Sequence, residues 1–125
     1  MLLSIKASSL YSKWFGVTNQ NTRAIFTLAK KLAGVGAKVI LFIDEVDALL
    51  GDSGNASTSD VADQVKTEFM QHWDSISKVN NIVIFAATNR PDRLNDAIWR
   101  RFSHHFEVRS DDSVFEIKSH MHRIQ

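Results

Sequence analysis

The chain has 125 residues with a formal net charge of +1 at pH 7, and 44% of its residues are hydrophobic. This length is enough for one domain with a buried core, and a charge so close to zero gives no indication of a nucleic-acid-binding surface. The absence of cysteine excludes disulfides and thiolate metal sites, and no apolar run approaches the ~18 residues that span a bilayer, so we expect a soluble chain.

The N-terminal part contains an apolar stretch followed by two adjacent aromatic residues. Residues Leu2 to Ala7 are typical of a short strand, and Ser8 to Ser12 begin a loop or a short helix. Trp14 and Phe15 cannot both face a core from one helix or strand, and the glycine after them permits a turn. At least one ring is therefore expected to be an exposed contact surface beside Lys13. A buried Trp14 with a partly buried Phe15 fits these residues equally well.

A helix is predicted from the capping residues Thr18 and Asn19 to about Leu32. Its apolar residues recur at the spacing of one helical face, namely Ile25, Leu28, Ala29 and Leu32. Gly34 and Gly36 end the helix, because glycine readily adopts the backbone conformation found after a helix C-terminus.

The next segment, Val39 to Asp47, places five consecutive apolar residues directly before Asp44 and Glu45. Such a run predicts a strand that is buried on both faces of a parallel sheet. Ligands of open α/β sheets bind beyond the carboxyl ends of the strands, where one carboxylate could hold Mg²⁺ through water and the other could orient an attacking water. This pattern suits a nucleoside triphosphatase. Acids at the start of a following helix would also produce it, and the motif alone does not decide.

Two helices and a loop follow this strand. Val46 to Leu50 is predicted as a short helix, Gly51 to Asp60 as a surface loop, and Asp60 as the cap of a helix that runs to about Ile76. Apolar residues recur every four positions in the second helix and predict one buried stripe, made of Val61, Val65, Phe69 and Trp73.

A second apolar run, Ile82 to Ala87, is interpreted as another buried parallel strand, and it ends in Thr88, Asn89 and Arg90 before Pro91. Two such strands separated by helices predict a βαβ arrangement whose polar strand ends share one edge.

The C-terminal part is expected to hold three short elements. Asp96 to Arg101 is predicted as a short helix with a basic pair, Arg100 and Arg101, and His105 to Val108 as the last strand. Asp111 or Asp112 would cap a terminal helix that contains Val114, Phe115 and Ile117.

Four of these segments, in this order and spacing, resemble motifs of the AAA+ ATPase family. Phe42 to Asp47 resembles the Walker B motif, and Ala87 to Pro91 resembles the end of the sensor 1 strand. Asp96 to Phe102 resembles the second region of homology with its arginine fingers, and Lys13 to Gly16 resembles pore loop 1. Residues 1–125 are thereby identified as a partial AAA+ large subdomain, an α/β unit with part of the parallel sheet of the P-loop NTPase fold.

Within that family the chain is similar to the meiotic clade, which includes ESCRT-disassembly ATPases, katanin, spastin, fidgetin and the mitochondrial and peroxisomal membrane-protein extraction ATPases. The pore loop, the segment from Glu68 to Asp74 and the Arg100–Arg101 pair carry this similarity. The extraction ATPases look nearest, because their pore loop also has two aromatics after the lysine.

The resemblance implies ATP and Mg²⁺ as cofactors. Asp44 would support Mg²⁺ through water, Glu45 would polarise the lytic water, and Asn89 would bind near the γ-phosphate and help to place that water. Arg100 and Arg101 would reach the nucleotide of a neighbouring subunit in a homo-hexamer, whereas without the family context they would be two solvated residues at a helix end.

The resemblance also implies a substrate site and a structural acid. Trp14, Phe15 and Gly16 would form a loop that grips a translocating polypeptide, and Lys13 would favour acidic stretches of it. Asp47 would fix the Walker B loop or a subunit contact rather than touch metal. The five histidines invite a zinc hypothesis, but the pair His120 and His122 has no third ligand nearby, so surface histidines are expected.

The sequence departs from the family pattern because none of its 125 residues form a GxxxxGK[ST] phosphate loop. The resemblance also implies that the Walker A strand, which lies centrally between the sensor 1 strand and the last strand, and the C-terminal helical lid are missing. Two functions remain open. The chain is either part of a motor that remodels, unfolds or extracts proteins through a hexamer pore, or a catalytically inactive fragment that binds intact subunits or other proteins. A cytoplasmic location is expected, at an organelle membrane if an N-terminal anchor precedes the chain, with no nucleic-acid partner.

Overall fold

The computed structural model describes residues 1–10, 15–51, 59–108 and 118–120, and it describes side chains for residues 1–10, 20–51 and 63–108. The chain divides into two compact units, Met1–Leu94 and Asn95–Gln125. Lys13, Trp14, most of the predicted loop after Gly51 and the predicted terminal helix after Asp112 lie outside the described residues.

The first unit is an α/β structure around a three-stranded parallel sheet, as predicted. Its strands are β1 (Leu2–Lys6), β2 (Val39–Asp44) and β3 (Ile82–Ala86), and its helices are α1 (Ala7–Leu10), α2 (Phe15–Gly34), α3 (Val46–Leu50) and α4 (Ser59–Ile76). The strand order is β1-β2-β3, and Leu41 of β2 lies between Leu3 of β1 and Ile84 of β3. The central strand is therefore the one that leads into Asp44 and Glu45.

Helix α2 begins earlier than predicted and buries a different face. It starts at Phe15 rather than after Thr18, so Gly16 lies in its first turn. A helix can include glycine at a cost of only about 1 kcal/mol relative to alanine, so Gly16 is a weak stop signal. The predicted face is also wrong in part, since Leu28 is 44% exposed. The buried stripe consists instead of Thr22, Phe26, Ala29 and Ala33.

The core of this unit lies between one face of the sheet and helices α2 and α4. Val39, Leu41 and Ile43 alternate along β2 and are buried, and α2 contacts β2, β3 and α4. The rings of Phe26 on α2 and Phe69 on α4 meet edge to face at 5.2 Å between centroids. This geometry is favourable for aromatic pairs and joins the two helices in the centre of the core.

The opposite face of the sheet is open in the described part of the chain, which contradicts the prediction that both apolar runs are buried on both faces. Ile40 is 40% exposed, Val83 is 50% exposed and Phe85 is 47% exposed. A continuous apolar run is consistent with a strand covered on both faces, but the run itself does not supply the element that covers the second face. The sheet is therefore apolar on both faces and buried on one.

The second unit contains α5 (Asp96–Trp99), β4 (His105–Glu107) and β5 (Lys118–His120). Asn95 caps α5, because its side-chain oxygen accepts a hydrogen bond from the Ile98 N–H at 3.2 Å. A missing central strand would leave the strand near His105 without its family neighbour, but here β4 pairs antiparallel with β5. The backbone of β5 therefore supplies hydrogen-bond partners for β4 that no pattern in residues 118–120 predicts.

Candidate functional site

The polar ends of β2 and β3 lie at one edge of the sheet. Asp44 is the last residue of β2, and its Oδ1 accepts a hydrogen bond from the Glu45 N–H at 2.9 Å. β3 ends at Ala86, directly before Ala87 and the predicted sensor residues. Because β2 and β3 are parallel and aligned in register from Val39 and Ile82, their carboxyl ends meet at the same edge.

Glu45 has a left-handed backbone conformation, with φ 52° and ψ 43°, and it is the only non-glycine residue with positive φ in the described part of the chain. This region of φ and ψ is disfavoured for residues that have a Cβ, and such residues concentrate at functional sites. The conformation turns the chain sharply out of β2, so that the Val46 N–H donates to the Ala87 carbonyl oxygen at 3.0 Å. Helix α3 starts immediately after this turn.

Both carboxylate oxygens of Glu45 are bonded to residues where β1 meets α1, since Lys6 is the last residue of β1 and Ser8 lies in α1. Lys6 Nζ lies 3.1 Å from Oε1, and the Ser8 hydroxyl donates to Oε2 at 2.9 Å. The bond from Lys6, and after it the bond from Ser8, lowers the pKa of Glu45 below its ordinary value. These two bonds favour the charged form of the carboxylate, which is half-exposed at the surface of the site.

Sequence reasoning did not identify Lys6 and Ser8. The signal that could have found them is the order of the strands, because Lys6 lies directly beside Asp44 in the parallel register of β1 and β2. Residues that follow two neighbouring parallel strands share an edge, but the sequence does not state which strands are neighbours.

A second hydrogen-bond system joins the start of α3 to the turn after β3. The Thr88 hydroxyl donates to Asp47 Oδ1 at 2.6 Å and accepts a hydrogen bond from the Arg90 N–H at 2.9 Å. The backbone of Ala87 adds a bond to the Ile43 carbonyl oxygen at 2.8 Å. Asn89, which lies between Thr88 and Arg90, is exposed. One carboxylate oxygen of Asp47 is thus bonded to Thr88, and Asn89 lies in a turn whose flanking residues, Ala87 and Arg90, are hydrogen-bonded.

Asp44 has the features that a water-mediated Mg²⁺ contact requires. Its side chain is exposed, and Oδ1 accepts the Glu45 N–H, which within the described residues leaves other lone pairs of the carboxylate available. Mg²⁺ usually keeps several waters and binds through one or two carboxylates together with substrate phosphates. The described residues contain no group of three His, Cys, Asp or Glu side chains that could hold a metal by themselves.

The remaining predicted site residues lie elsewhere or are only partly described. Helix α5 ends at Trp99, earlier than the predicted Arg101. Arg100 is exposed, and Arg101, in the turn after α5, donates from Nη1 to the Ala97 carbonyl oxygen at 2.9 Å. Phe15 and Gly16 form the start of α2, and their side chains are not described; Lys13 and Trp14 lie outside the described residues. Their assigned roles stay predictions.

Two histidines differ from the expected surface positions. The ring of His72 is half-buried and stacks on Phe26 at 5.4 Å between centroids, with Nε2 3.6 Å from Glu68 Oε1. His105 is half-buried against Trp99, whose ring meets it at 4.7 Å. Both are packing residues, because an imidazole ring can cover an apolar neighbour while it keeps a polar partner.

Comparison with protein families agrees with this geometry. The family described as ATPase family associated with various cellular activities (AAA) matches residues 1–110. The chain belongs to this family. The AAA match includes the whole first unit and, in the second unit, the Arg100–Arg101 pair and β4.

Several curated AAA relatives match most of this chain. A probable spastin homolog of Brugia malayi is 39% identical over 104 residues, 82% of this chain and 22% of that protein. A Bifidobacterium animalis protein named as an AAA ATPase forming ring-shaped complexes is 35% identical over 80% of this chain and 19% of its own length. An ATPase family protein 2 homolog of Caenorhabditis elegans is 35% identical over 78% of this chain and 13% of its own length. The chain thus spans about a fifth of the length of these relatives, or less. Among the described residues, no helix is long and apolar enough to cross a membrane.

Proposed function

We propose that these 125 residues are the part of an ATP-hydrolysing AAA motor that positions the lytic water and reads the γ-phosphate. The observation that carries the proposal is the convergence of Asp44, Glu45 and the Thr88–Arg90 turn at one edge of a parallel sheet. Phosphoryl transfer depends mainly on positioning and charge neutralisation, and rigidly held polar groups at a strand edge supply the positioning.

Each residue has a separate task in this proposal. Mg²⁺ bound with ATP supplies neutralisation of the phosphate charge. Asp44 would hold the metal through its water shell, Glu45 would accept a hydrogen bond from the attacking water, and the Asn89 amide would donate a hydrogen bond to the γ-phosphate. These roles suit their chemistry, because a carboxylate accepts hydrogen bonds and an amide N–H₂ donates them.

Glu45 keeps acceptor sites for a water beside its two partners, because each oxygen of a carboxylate has two lone pairs. Lys6 and Ser8 occupy one carboxylate oxygen each, and both lower its pKa, which makes the carboxylate a weaker base. A water at one of the remaining lone pairs would meet a charged acceptor at the sheet edge. The two bonds therefore restrain the Glu45 side chain and lower its basicity, and they leave room for this water.

The remaining parts of the proposal concern the assembly. Arg100 and Arg101 would act on a neighbouring subunit's nucleotide, where an arginine supplied in trans can contribute roughly 10³ to 10⁵ in rate. The names of the Bifidobacterium relatives support a ring. Lys13, Trp14, Phe15 and Gly16 would contact a polypeptide substrate in the pore of a hexamer that remodels, unfolds or extracts proteins, in the cytoplasm.

A second candidate function is a catalytically inactive chain that binds intact AAA subunits or other proteins. Two observations favour it: no GxxxxGK[ST] segment occurs in these 125 residues, and Val83 and Phe85 leave an open apolar face on the sheet. Backbone N–H groups of such a loop normally hold the phosphates of the nucleotide, so this candidate predicts no binding of ATP.

The test uses a longer polypeptide in which these residues follow a GxxxxGK[ST] segment. Glu45→Gln is expected to keep nucleotide affinity and to abolish hydrolysis, because the amide keeps the shape but not the basicity of the carboxylate. Asp63→Asn, an exposed acid on α4, serves as the matched control and is expected to hydrolyse ATP at the parental rate. Normal turnover by Glu45→Gln would contradict the assigned role, and no nucleotide binding by the parent would favour the second candidate.

A further inference from the structure

We propose that Asp47 and Thr88 are positioning residues that set the place of Asn89 relative to Glu45. This inference rests on the proposed function, since it gives the ATPase site two further residues. Thr88 is bonded to Asp47 on one side and to the Arg90 backbone on the other, at 2.6 Å and 2.9 Å. One hydroxyl group therefore connects the start of α3 with the turn that presents Asn89.

The geometry of this hydroxyl leaves it little freedom. A hydroxyl has one hydrogen to donate, and here it goes to a carboxylate, which makes a short charge-assisted bond. The lone pairs of the same oxygen then accept the Arg90 N–H. Threonine is also stiff at χ1 because it is β-branched, so the two bonds fix one rotamer. Thr88 and Asp47 are both half-buried, which limits competition from water.

The residues around Asn89 are therefore held at both ends of the turn. Ala87 is bonded through its N–H to Ile43 and through its carbonyl oxygen to Val46, while Arg90 is bonded to Thr88. Asn89 itself is exposed. Its backbone position thus depends on contacts to β2 and α3, the elements on either side of Glu45. A displacement of about 1 Å at a catalytic group can reduce the rate about a hundredfold, so contacts that hold this turn would affect kcat.

A purely structural role for Thr88 makes a different prediction. Loss of the bond would then lower the folded fraction, and turnover and nucleotide binding would fall together in proportion. A positioning role separates the two quantities, because nucleotide affinity depends mainly on the phosphate loop while turnover depends on the placement of Asn89. Rescue by serine is the second discriminating observation, since serine keeps the hydroxyl and loses only the methyl group.

The experiment compares three variants of the longer polypeptide that contains a phosphate loop. Thr88→Val replaces the hydroxyl by a methyl group of similar size and is expected to lower kcat at least about tenfold, a barrier change of ~1.4 kcal/mol, with the ATP Kd unchanged within about twofold. Thr88→Ser is expected to restore most of the rate. Thr27→Val, on an exposed position of α2, is the matched control and should behave like the parent.

Amide hydrogen exchange of Arg90 is measured in the same proteins and does not depend on catalysis. It should speed up at least about tenfold in Thr88→Val relative to the parent and to Thr88→Ser, because its acceptor is lost. Equal Arg90 exchange in all variants, or a Thr88→Val enzyme with parental kcat, would overturn the inference. Failure of the proposed function is a separate outcome, recognised by a parent that does not hydrolyse ATP or a Glu45→Gln variant that does.

Discussion

Truncation of two phenylalanines tests the architecture directly, because Phe69 lies in the core on α4 and Phe85 lies on the open face of the sheet. Phe69 is 1% exposed, and its ring lies between Phe26 at 5.2 Å and Trp73 at 6.0 Å. Phe85 is 47% exposed on the open face. Phe69→Ala removes a fully buried ring and is expected to cost about 3 to 5 kcal/mol of unfolding free energy. Phe85→Ala removes a ring that is about half-buried and is expected to cost about 1 kcal/mol, from the area that it covers.

Urea and thermal unfolding followed by circular dichroism measure both losses. For a chain of this size about 1 kcal/mol shifts the melting temperature by roughly 3 to 6 °C, so the two variants should differ by roughly 10 °C or more. Equal losses would refute the assignment of one covered and one open face. A comparison in the longer polypeptide adds information: if other parts of that protein cover Phe85, the cost of Phe85→Ala should rise there toward that of Phe69→Ala.

Four further predictions concern the site and the isolated chain. The 125-residue chain alone should show no ATP hydrolysis above background in a phosphate-release assay, because it has no phosphate loop, and turnover typical of AAA proteins would contradict this. Lys6→Met should raise the pKa of Glu45 in a carboxyl NMR titration, since Lys6 is the largest cause of its lowering. A lowered carboxyl pKa adds stability that is lost as pH falls through it, so this variant should lose less stability on acidification than the parent. Glu45→Gly should have a higher melting temperature than Glu45→Ala, because glycine readily adopts positive φ. In helix α2 the order should be reversed, and Lys30→Gly should have a lower melting temperature than Lys30→Ala. In the longer polypeptide, Trp14→Ala should impair protein-substrate processing more than ATP turnover, and a large drop in its melting temperature would instead indicate a core residue.

The apolar runs made the strands of the sheet predictable, but they did not predict which elements cover or pair with those strands. Val39 to Ile43 is long, uninterrupted and followed by acids, so both the strand and the position of Asp44 and Glu45 at its end could be predicted. The exposure of Ile40 and Val83 could not, because the run contains no information on whether another element covers its second face. The pairing of β4 with Lys118–His120 was equally hidden, since these three residues show no apolar alternation.

The partners of Glu45 show why the site is harder to predict than the fold. Lys6 of β1 and Ser8 of α1 contact it on one side, and on the other side the Asp47–Thr88 bond joins α3 to the turn after β3. All of these contacts join residues separated by 37 to 41 positions in the sequence. Lys6 and Ser8 bond the carboxylate of Glu45, whereas Thr88 bonds the turn that contains Asn89. A shift of the residues on either side would therefore change the contacts of Glu45 or of its neighbours in the chain. The left-handed backbone conformation of Glu45 is disfavoured, so it depends on both sets of contacts.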